Sequence, residues 1–313
     1  IKLFDPHVGI DEQQAIKRTL MSKVWASGQG SGNVSKFEKK FKRFIDSDTC
    51  VAVNSGTAAL NLAVSLIPIK GKEVILPSLS FVSTANSVLI NGGIPKFVEV
   101  EPDTLCIDPI SIKNSITKKT KLILPVHFGG FPCKLDEIKK IADKNDCHII
   151  EDAAHAVGSK FSTQKIGKHS FATCFSFHPV KNLAMPTGGL ISINHPDHKK
   201  FEKKIKSLRW CGISNRKLTS YDVTELGNNY YMNEFSAAIG LVQLKKINRL
   251  TKMRQQIAKK YFNEIDIEYK MPFDRRCSYH LYWVCIKNRN KFRKLLKEKN
   301  IETGTHYKPI HTF

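Results

Sequence analysis

The sequence has few acidic residues and no long hydrophobic run. It contains 28 Asp+Glu against 50 Lys+Arg, which gives a formal net charge of +22 at pH 7. The longest apolar run, around Leu60 to Ile69, is well short of the ~20 residues that a membrane-spanning helix needs. We also expect the protein to have no signal peptide. These absences predict a cytoplasmic protein without a membrane partner.

Paired cysteines and zinc-binding patterns are also missing. The eight cysteines include no C-x-x-C pair and no cysteine–histidine cluster at zinc spacing. We therefore expect no metal site and no disulfide framework, and we interpret the cysteines as reduced, mostly buried thiols. They are Cys50, Cys106, Cys133, Cys147, Cys174, Cys211, Cys277 and Cys285.

The excess of positive charge is compatible with a nucleic-acid partner. However, the lysines are spread along helix-like segments, where they indicate solvated faces. No helix-turn-helix, zinc-finger or aromatic RNA-binding motif accompanies them. We therefore predict that the protein binds no nucleic acid. The positive field would still attract small phosphorylated molecules.

Strand-like and helix-like segments alternate from Val51 to Ile193. This alternation indicates βαβ units and a mostly parallel sheet covered by helices on both faces. Ligands of such sheets bind beyond the carboxyl ends of the strands. A long predicted helix, Asn233 to Met253, leads out of this region. After it, a predicted strand, His280 to Ile286, and a predicted helix, Lys291 to Lys299, indicate a small α+β domain.

Two strand ends carry candidate binding residues. Ser55-Gly56-Thr57 joins a strand to a helix, and the free N–H groups at a helix start can bind a phosphate while glycine permits close approach. The alternative is that Ser55 is a simple N-cap. Phe81 follows the next strand and can either stack on a flat heteroaromatic ring or pack in the core.

A third strand ends in the two acids Glu151 and Asp152. A buried carboxylate is costly unless it meets a cation, and a protonated pyridine nitrogen is such a cation, which suits Asp152. Strand alternation turns Glu151 the other way. Alternatively, both acids stabilise a helix N-terminus. His155 is either a hydrogen-bonded core histidine or a contact of the same ring.

Lys181 follows a fourth strand, in an apolar segment that is bounded by proline and glycine. Most other lysines of the chain lie in charged helices. Desolvation would lower the pKa of the Lys181 amine and make it nucleophilic toward an aldehyde. The alternative is a surface lysine in a turn.

Three motifs, taken in this order, resemble the DegT/DnrJ/EryC1/StrS family of nucleotide-sugar aminotransferases, which depend on pyridoxal 5′-phosphate (PLP). They are Ser-Gly-Thr-Ala-Ala-Leu from Ser55, Glu-Asp-Ala-Ala-His-Ala from Glu151, and Ser-Phe-His-Pro-Val-Lys-Asn-Leu from Ser176. The resemblance runs from about Trp25 to the end of the chain.

The resemblance implies PLP fold type I of the aspartate aminotransferase superfamily. Residues 1–235 would form a large PLP-binding domain, with an N-terminal helical segment and a mostly parallel seven-stranded sheet flanked by helices. Residues 236–313 would contain a linking helix and a small C-terminal α+β domain. Because members of the family continue beyond the position of Phe313, we expect this small domain to be incomplete.

The resemblance also implies a role for each candidate residue. Lys181 would be the catalytic residue, bound to PLP as a Schiff base, and Asp152 would keep the pyridine nitrogen protonated. Phe81 would stack on the ring and His155 would lie near its 3′ oxygen. The remaining implied contacts are Gly56, Thr57 and Ser176 with the phosphate, Asn229 of the partner subunit in a homodimer with shared active sites, and His306 and Tyr307 with the substrate.

The reaction implied is transfer of an amino group, from L-glutamate, to a nucleotide-linked keto-deoxy sugar for a surface polysaccharide or glycan. His178 and the stretch Glu-Asp-Ala-Ala-His-Ala-Val-Gly from Glu151 resemble members that act at C4 more than those that act at C3. Alternatives are a PLP-dependent sugar dehydratase, against which Lys181 argues, and a PLP-binding regulator without turnover. Two departures from the family pattern are Pro186-Thr187 in place of Gly-Glu, and Tyr231 where arginine is common.

Overall fold

Strands and helices alternate through most of the computed structural model, which describes residues 1–313. The strands are β1 (Thr49–Val53), β2 (Glu73–Pro77), β3 (Ile94–Val98), β4 (Thr120–Ile123), β5 (His148–Asp152), β6 (Lys160–Phe161), β7 (Gln164–Lys165), β8 (Ala172–Ser176), β9 (Gly189–Ile193), β10 (Ile213–Lys217) and β11 (Ser220–Val223). The α-helices are α1 (Ile10–Ser22), α2 (Gly32–Ile45), α3 (Gly56–Val64), α4 (Ser83–Ile90), α5 (Pro109–Ser115), α6 (Leu135–Lys144), α7 (His198–Leu208), α8 (Glu234–Glu264) and α9 (Arg289–Glu298).

The central sheet has seven strands in the order β1-β9-β8-β5-β4-β2-β3. Neighbouring strands from β3 to β8 pair in parallel, and β9 runs antiparallel to both β8 and β1. The prediction of a mostly parallel seven-stranded sheet is confirmed. Because β9 alone is reversed, the carboxyl ends of β1, β2, β5 and β8 lie at one edge.

Hydrophobic residues cover both faces of this sheet. Strands β1, β8 and β9 are buried at every position, as expected for strands that have helices on both sides. Helices α2 and α6 contribute to the core on one face, and α3 and α4 contribute to the core on the other. The site at the edge of the sheet therefore rests on a rigid layer of packed strands.

An aromatic cluster orients β8. Phe41 of α2 packs edge-on against Phe175 and Phe177, with ring centroids 5.1 and 5.4 Å apart. Since side chains alternate along a strand, these two phenylalanines on one face leave Ser176 on the other. That face carries the N-terminus of α3.

The segment His280 to Ile286, predicted as a strand, is not one. Its β-pairing consists of one isolated bridge, between Lys270 and Val284. Tyr282 and Trp283 pack instead against the main core, so the apolar pattern reflects packing and not a hydrogen-bonded ladder. The prediction of a helix at Lys291 to Lys299 is met by α9. None of the helices is both long enough and apolar enough to cross a bilayer.

Candidate active site

A cavity of about 300 Å³ opens at the edge where β1, β2, β5 and β8 end. Eight of the predicted site residues line it, and they come from stretches of the chain that are far apart in sequence. These residues are Gly56, Thr57, Phe81, Asp152, His155, Ser176, Lys181 and Tyr307. Their meeting point is the location that parallel strands predict for a ligand.

One end of the cavity is formed by the start of α3. Ser55 caps this helix, because its Oγ accepts a hydrogen bond of 3.1 Å from the N–H of Ala58. A Cβ atom on Gly56 would lie 2.7 Å from the Cβ of Ser176, so only glycine lets the two backbones approach this closely. The first N–H groups of the helix and the Ser176 hydroxyl thus face the same space, which suits a phosphate group.

Asp152 also lines the cavity and is 4% exposed. Its Oδ2 accepts a hydrogen bond of 2.8 Å from Thr84 Oγ1, and its Oδ1 accepts one of 3.1 Å from the Ala154 N–H. Burial raises the pKa of Asp152, although these hydrogen bonds and the charge of Lys181 act against the increase. No ion pair compensates this carboxylate within the chain, so the site suits a cationic ring nitrogen.

Glu151 faces away from the cavity, as strand alternation predicts. Its Oε2 lies 2.8 Å from His127 Nε2, and its Oε1 accepts a hydrogen bond of 3.1 Å from Thr173 Oγ1. Glu151 and His127 are fully buried. The two neighbouring acids therefore face different surroundings, and only Asp152 lines the cavity.

Lys181 lies in the turn between β8 and β9. Its backbone N–H donates to the carbonyl of His178 at 2.8 Å, and the next residue, Asn182, donates from Nδ2 to the carbonyl of Ser278 at 3.1 Å. Burial lowers the pKa of Lys181 to about 8, and the charge of Asp152 partly counteracts this effect. A substantial fraction of the amine is consequently neutral near physiological pH and can attack a carbonyl carbon.

His155 and Tyr307 form one wall of the cavity. Nε2 of His155 lies 3.0 Å from Oη of Tyr307, and Nδ1 of His155 accepts from the N–H of Gly129 at 3.3 Å. The rings of Phe81 and Tyr307 are 6.0 Å apart, and Phe81 remains 53% exposed. Phe81 thus offers an open ring face toward a ligand.

Two predicted site residues lie outside the cavity of this chain. Asn229 is exposed, and its backbone carbonyl accepts a hydrogen bond from Asn54 Nδ2 at 3.2 Å. His306 is exposed beside the Tyr307 ring, with centroids 5.0 Å apart. Neither residue lines the cavity.

Two polar residues of the site, Thr84 and Ser80, were not singled out from the sequence. Thr84 and Ser80 form a chain to Asp152, since Ser80 Oγ lies 2.7 Å from Thr84 Oγ1. Thr187 lines the cavity where the family pattern has glutamate, and its hydroxyl donates to the Asn54 carbonyl. The sequence signal that could have identified Thr84 and Ser80 was the group of hydroxyl residues just beyond the carboxyl end of β2.

The residues at this edge fit PLP. The helix start at Gly56 can bind the phosphate. The buried Asp152, which has no ion pair in the chain, can bind a protonated pyridine nitrogen, and the Lys181 amine can react with the aldehyde. Phe81 supplies an aromatic surface for the ring. One cavity thus contains the complementary partner for each chemical group of the cofactor.

Comparisons with known proteins agree with this fit. The model of the DegT/DnrJ/EryC1/StrS aminotransferase family matches residues 6–313. The spore coat polysaccharide biosynthesis protein SpsC of Bacillus subtilis is 36% identical, over 98% of this chain and 82% of SpsC. Helicobacter pylori PseC, an aminotransferase involved in the biosynthesis of pseudoaminic acid, has a TM-score of 0.92 and 27% identity, covering 100% of this chain and 86% of PseC.

A further solved structure is DesV of S. venezuelae in complex with a ketimine intermediate. It has a TM-score of 0.88 and 30% identity, covering 96% of this chain and 81% of DesV. The seven-stranded, mostly parallel sheet is that of PLP fold type I. The chain belongs to the DegT/DnrJ/EryC1/StrS aminotransferase family and is a PLP-dependent sugar aminotransferase of that family.

Proposed function

We propose that this enzyme transfers the amino group of L-glutamate to C4 of a nucleotide-linked keto-deoxy sugar that is destined for a surface polysaccharide or glycan. The observation that carries the proposal is the presence of Lys181, with a pKa of about 8, in the same cavity as the buried Asp152. A nucleophilic amine and a buried acid are both needed for transamination.

Each residue has a defined task in this proposal. PLP, when bound, supplies an electron sink for the carbon that gains or loses the amino group. Asp152 holds the proton on the pyridine nitrogen, and Lys181 Nζ accepts the proton that leaves the amino-bearing carbon of the donor. Gly56, Thr57 and Ser176 bind the phosphate. Their rigid positions on α3 and β8 fix the orientation of the ring.

The sugar substrate is inferred from the relatives and from charge. SpsC is described as a polysaccharide biosynthesis protein and PseC as an aminotransferase of pseudoaminic acid biosynthesis, which supports a sugar acceptor. The formal charge of +22 favours an acceptor with a nucleotide diphosphate. His178 lines the cavity, and the resemblance of its motif to members that act at C4 supports amination at that carbon.

We also propose a cytoplasmic homodimer in which Asn229 of the partner subunit completes the phosphate site. Asn229 is exposed in its own protomer, and its surroundings are fixed by a bridge to Trp210. All eight cysteines are free thiols, which agrees with a reducing compartment.

The test is an isotope-transfer experiment. The enzyme is incubated with ¹⁵N-labelled L-glutamate and nucleotide-linked 4-keto or 3-keto 6-deoxy sugars, and the products are analysed by NMR. We expect ¹⁵N bonded to C4 of the sugar, and no label with the Lys181→Ala variant. Loss of water from the sugar without ¹⁵N would identify a dehydratase. Bound PLP that glutamate leaves unchanged would identify a regulator.

A further inference from the structure

The hydrogen bonds of His155 define its tautomer. The N–H of Gly129 points at Nδ1 from 3.3 Å, so Nδ1 must be the acceptor and cannot carry a hydrogen. We therefore assign the hydrogen to Nε2, which lies 3.0 Å from Tyr307 Oη. It follows that His155 donates and that the Tyr307 oxygen accepts.

The surroundings of His155 keep the imidazole neutral. Burial, together with the positive charges of Lys181 and His306, holds the pKa of His155 well below its ordinary value. The ring of His280 lies 4.4 Å away and, being buried as well, also has a strongly lowered pKa. No carboxylate contacts either ring, so the donor on Nε2 is retained near neutral pH.

The Tyr307 hydroxyl is left with one unassigned hydrogen. Its oxygen accepts from His155, and no acceptor within the chain receives its own O–H. The tyrosine lines the cavity together with Lys181 and Asp152. The segment that carries it is fixed where β2 ends, because the Ile310 N–H donates to the Ser78 carbonyl at 2.8 Å. The free O–H of Tyr307 is therefore available to an acceptor in the cavity.

We propose that Tyr307 donates a hydrogen bond to the ring oxygen of the cofactor, and that His155 is a positioning residue that acts through Tyr307. This inference rests on the proposed placement of PLP in this cavity. It replaces the expectation that His155 itself contacts the 3′ oxygen, because the one donor of His155 is engaged by Tyr307. The inference also gives Tyr307 a role toward the cofactor in place of the expected contact with the sugar.

This arrangement has an electronic consequence. A hydrogen bond to the ring oxygen stabilises negative charge on it, which reduces the attraction of that oxygen for a proton on the neighbouring Schiff-base nitrogen. The nitrogen is then less basic. Loss of this hydrogen bond should therefore shift the titration of the Schiff base by about 1 to 2 pH units.

The experiment is a pH titration of the visible absorbance band of the PLP-loaded enzyme. We expect Tyr307→Phe to raise the pKa of this band by about 1 or more relative to the wild type. His155→Leu should shift it in the same direction, and His155→Gln should restore it, since the amide can accept from Gly129 and donate to Tyr307. The double variant, Tyr307→Phe with His155→Leu, should show no further shift.

Tyr282→Phe is the matched control. Its buried hydroxyl has no hydrogen-bond partner and does not line the cavity, so the variant should titrate like the wild type. A shift with His155→Leu and none with Tyr307→Phe would overturn the inference in favour of direct contact by His155. ¹⁵N NMR of the cofactor-free protein adds a second test, in which hydrogen on Nδ1 of His155 would also overturn it. A wild type without any visible band would instead refute the proposed function.

Discussion

Lys181 and Asp152 carry opposite charges at the edge of the sheet, and burial perturbs both. Burial lowers the pKa of the lysine and raises that of the aspartate, so each group is pushed toward its neutral form. Their mutual attraction opposes this effect only in part. The amine is thereby available for attack on an aldehyde without help from a separate base.

This gives a prediction for the pH dependence of cofactor binding. Only the neutral form of Lys181 reacts, so the rate of PLP capture by the cofactor-free enzyme should rise by about tenfold per pH unit below 8 and level off above it. Stopped-flow absorbance measures this rate. A midpoint near the ordinary value of 10.5 would contradict the account of the Lys181 environment.

Sequence alone predicted that Lys181, Asp152 and Phe81 lie at one site, and all three line the cavity, because each stands at or beyond the carboxyl end of an apolar strand. It did not identify Thr84. This residue contacts Asp152 across 68 positions of sequence, and the hydroxyl residues around it do not reveal which of them reaches the carboxylate. The sequence also predicted His155 near the cofactor but did not predict its contact with Tyr307. The tautomer of His155 depends on the N–H of Gly129, and the sequence does not show where this N–H lies.

At the scale of elements, a buried arginine joins α2, β1 and the glycine-rich loop before α2. Arg209 has a fully buried side chain, and its NH1 lies 2.8 Å from Glu38 Oε1 and 2.7 Å from the Ala52 carbonyl oxygen. Its NH2 donates to the Gln29 carbonyl at 2.9 Å. These contacts connect the end of α7 to the strand that leads into the turn at Ser55, Gly56 and Thr57.

Arg209→Leu should therefore destabilise the protein by about 3–5 kcal/mol, because it leaves the Glu38 carboxylate buried without its cation. Urea unfolding followed by circular dichroism measures the effect. Lys121→Met is the matched control, since it removes an ion pair of 3.2 Å whose partner Asp146 is 98% exposed. The control should change stability by less than about 1 kcal/mol. Equal losses in the two variants would contradict this role of Arg209.

The buried pair Glu151–His127 joins β5 to the segment that follows β4. Burial raises the pKa of Glu151, but the hydrogen bond and charge of His127, followed by contributions from Ser170 and His169, lower the pKa below the ordinary 4.5. A carboxyl group with a depressed pKa stabilises the fold above its unfolded-state value, and this stabilisation is lost as the pH falls through the folded-state value.

His127→Leu should consequently cost about 3 kcal/mol or more at pH 7, and the difference from the wild type should shrink on acidification. In the variant, the unpaired Glu151 takes up a proton more readily. Equilibrium unfolding between pH 7 and pH 4 measures the effect. The double variant with Glu151→Gln should lose this pH dependence. A constant difference between His127→Leu and the wild type would contradict an ionised Glu151.

The elements show where sequence reasoning succeeds and where it fails. The regular alternation of strands and helices was enough to predict the mostly parallel sheet. The segment His280 to Ile286 has a strand-like composition, but no neighbouring strand pairs with it beyond one bridge. A strand is defined by its partner, and the partner is not visible in local sequence.

At the scale of the whole molecule, the charge of +22 creates a field that attracts anions. The lysines responsible are distributed over exposed helices such as α7 and α9, so the field is broad. It acts over roughly 10 Å at 0.1 M salt and about 3 Å at 1 M. Binding of a multiply charged acceptor should therefore depend on ionic strength.

We predict that the KM for the nucleotide-linked sugar rises several-fold between about 0.1 M and 1 M NaCl, because screening weakens its attraction to the protein. The KM for glutamate, which has one net negative charge, should rise less and serves as the internal control. Steady-state kinetics at several salt concentrations provide the measurement. A KM for the sugar that does not depend on salt would contradict a role for the net charge.

The central claim is that Lys181 binds PLP and makes the enzyme a transaminase. Its most direct test is the absorbance spectrum of the purified protein with PLP, recorded before and after glutamate is added. The wild type and a Lys199→Ala control should show a visible band that glutamate removes, whereas Lys181→Ala should show no such band. A wild type without the band, or a band that persists in Lys181→Ala, would contradict the claim.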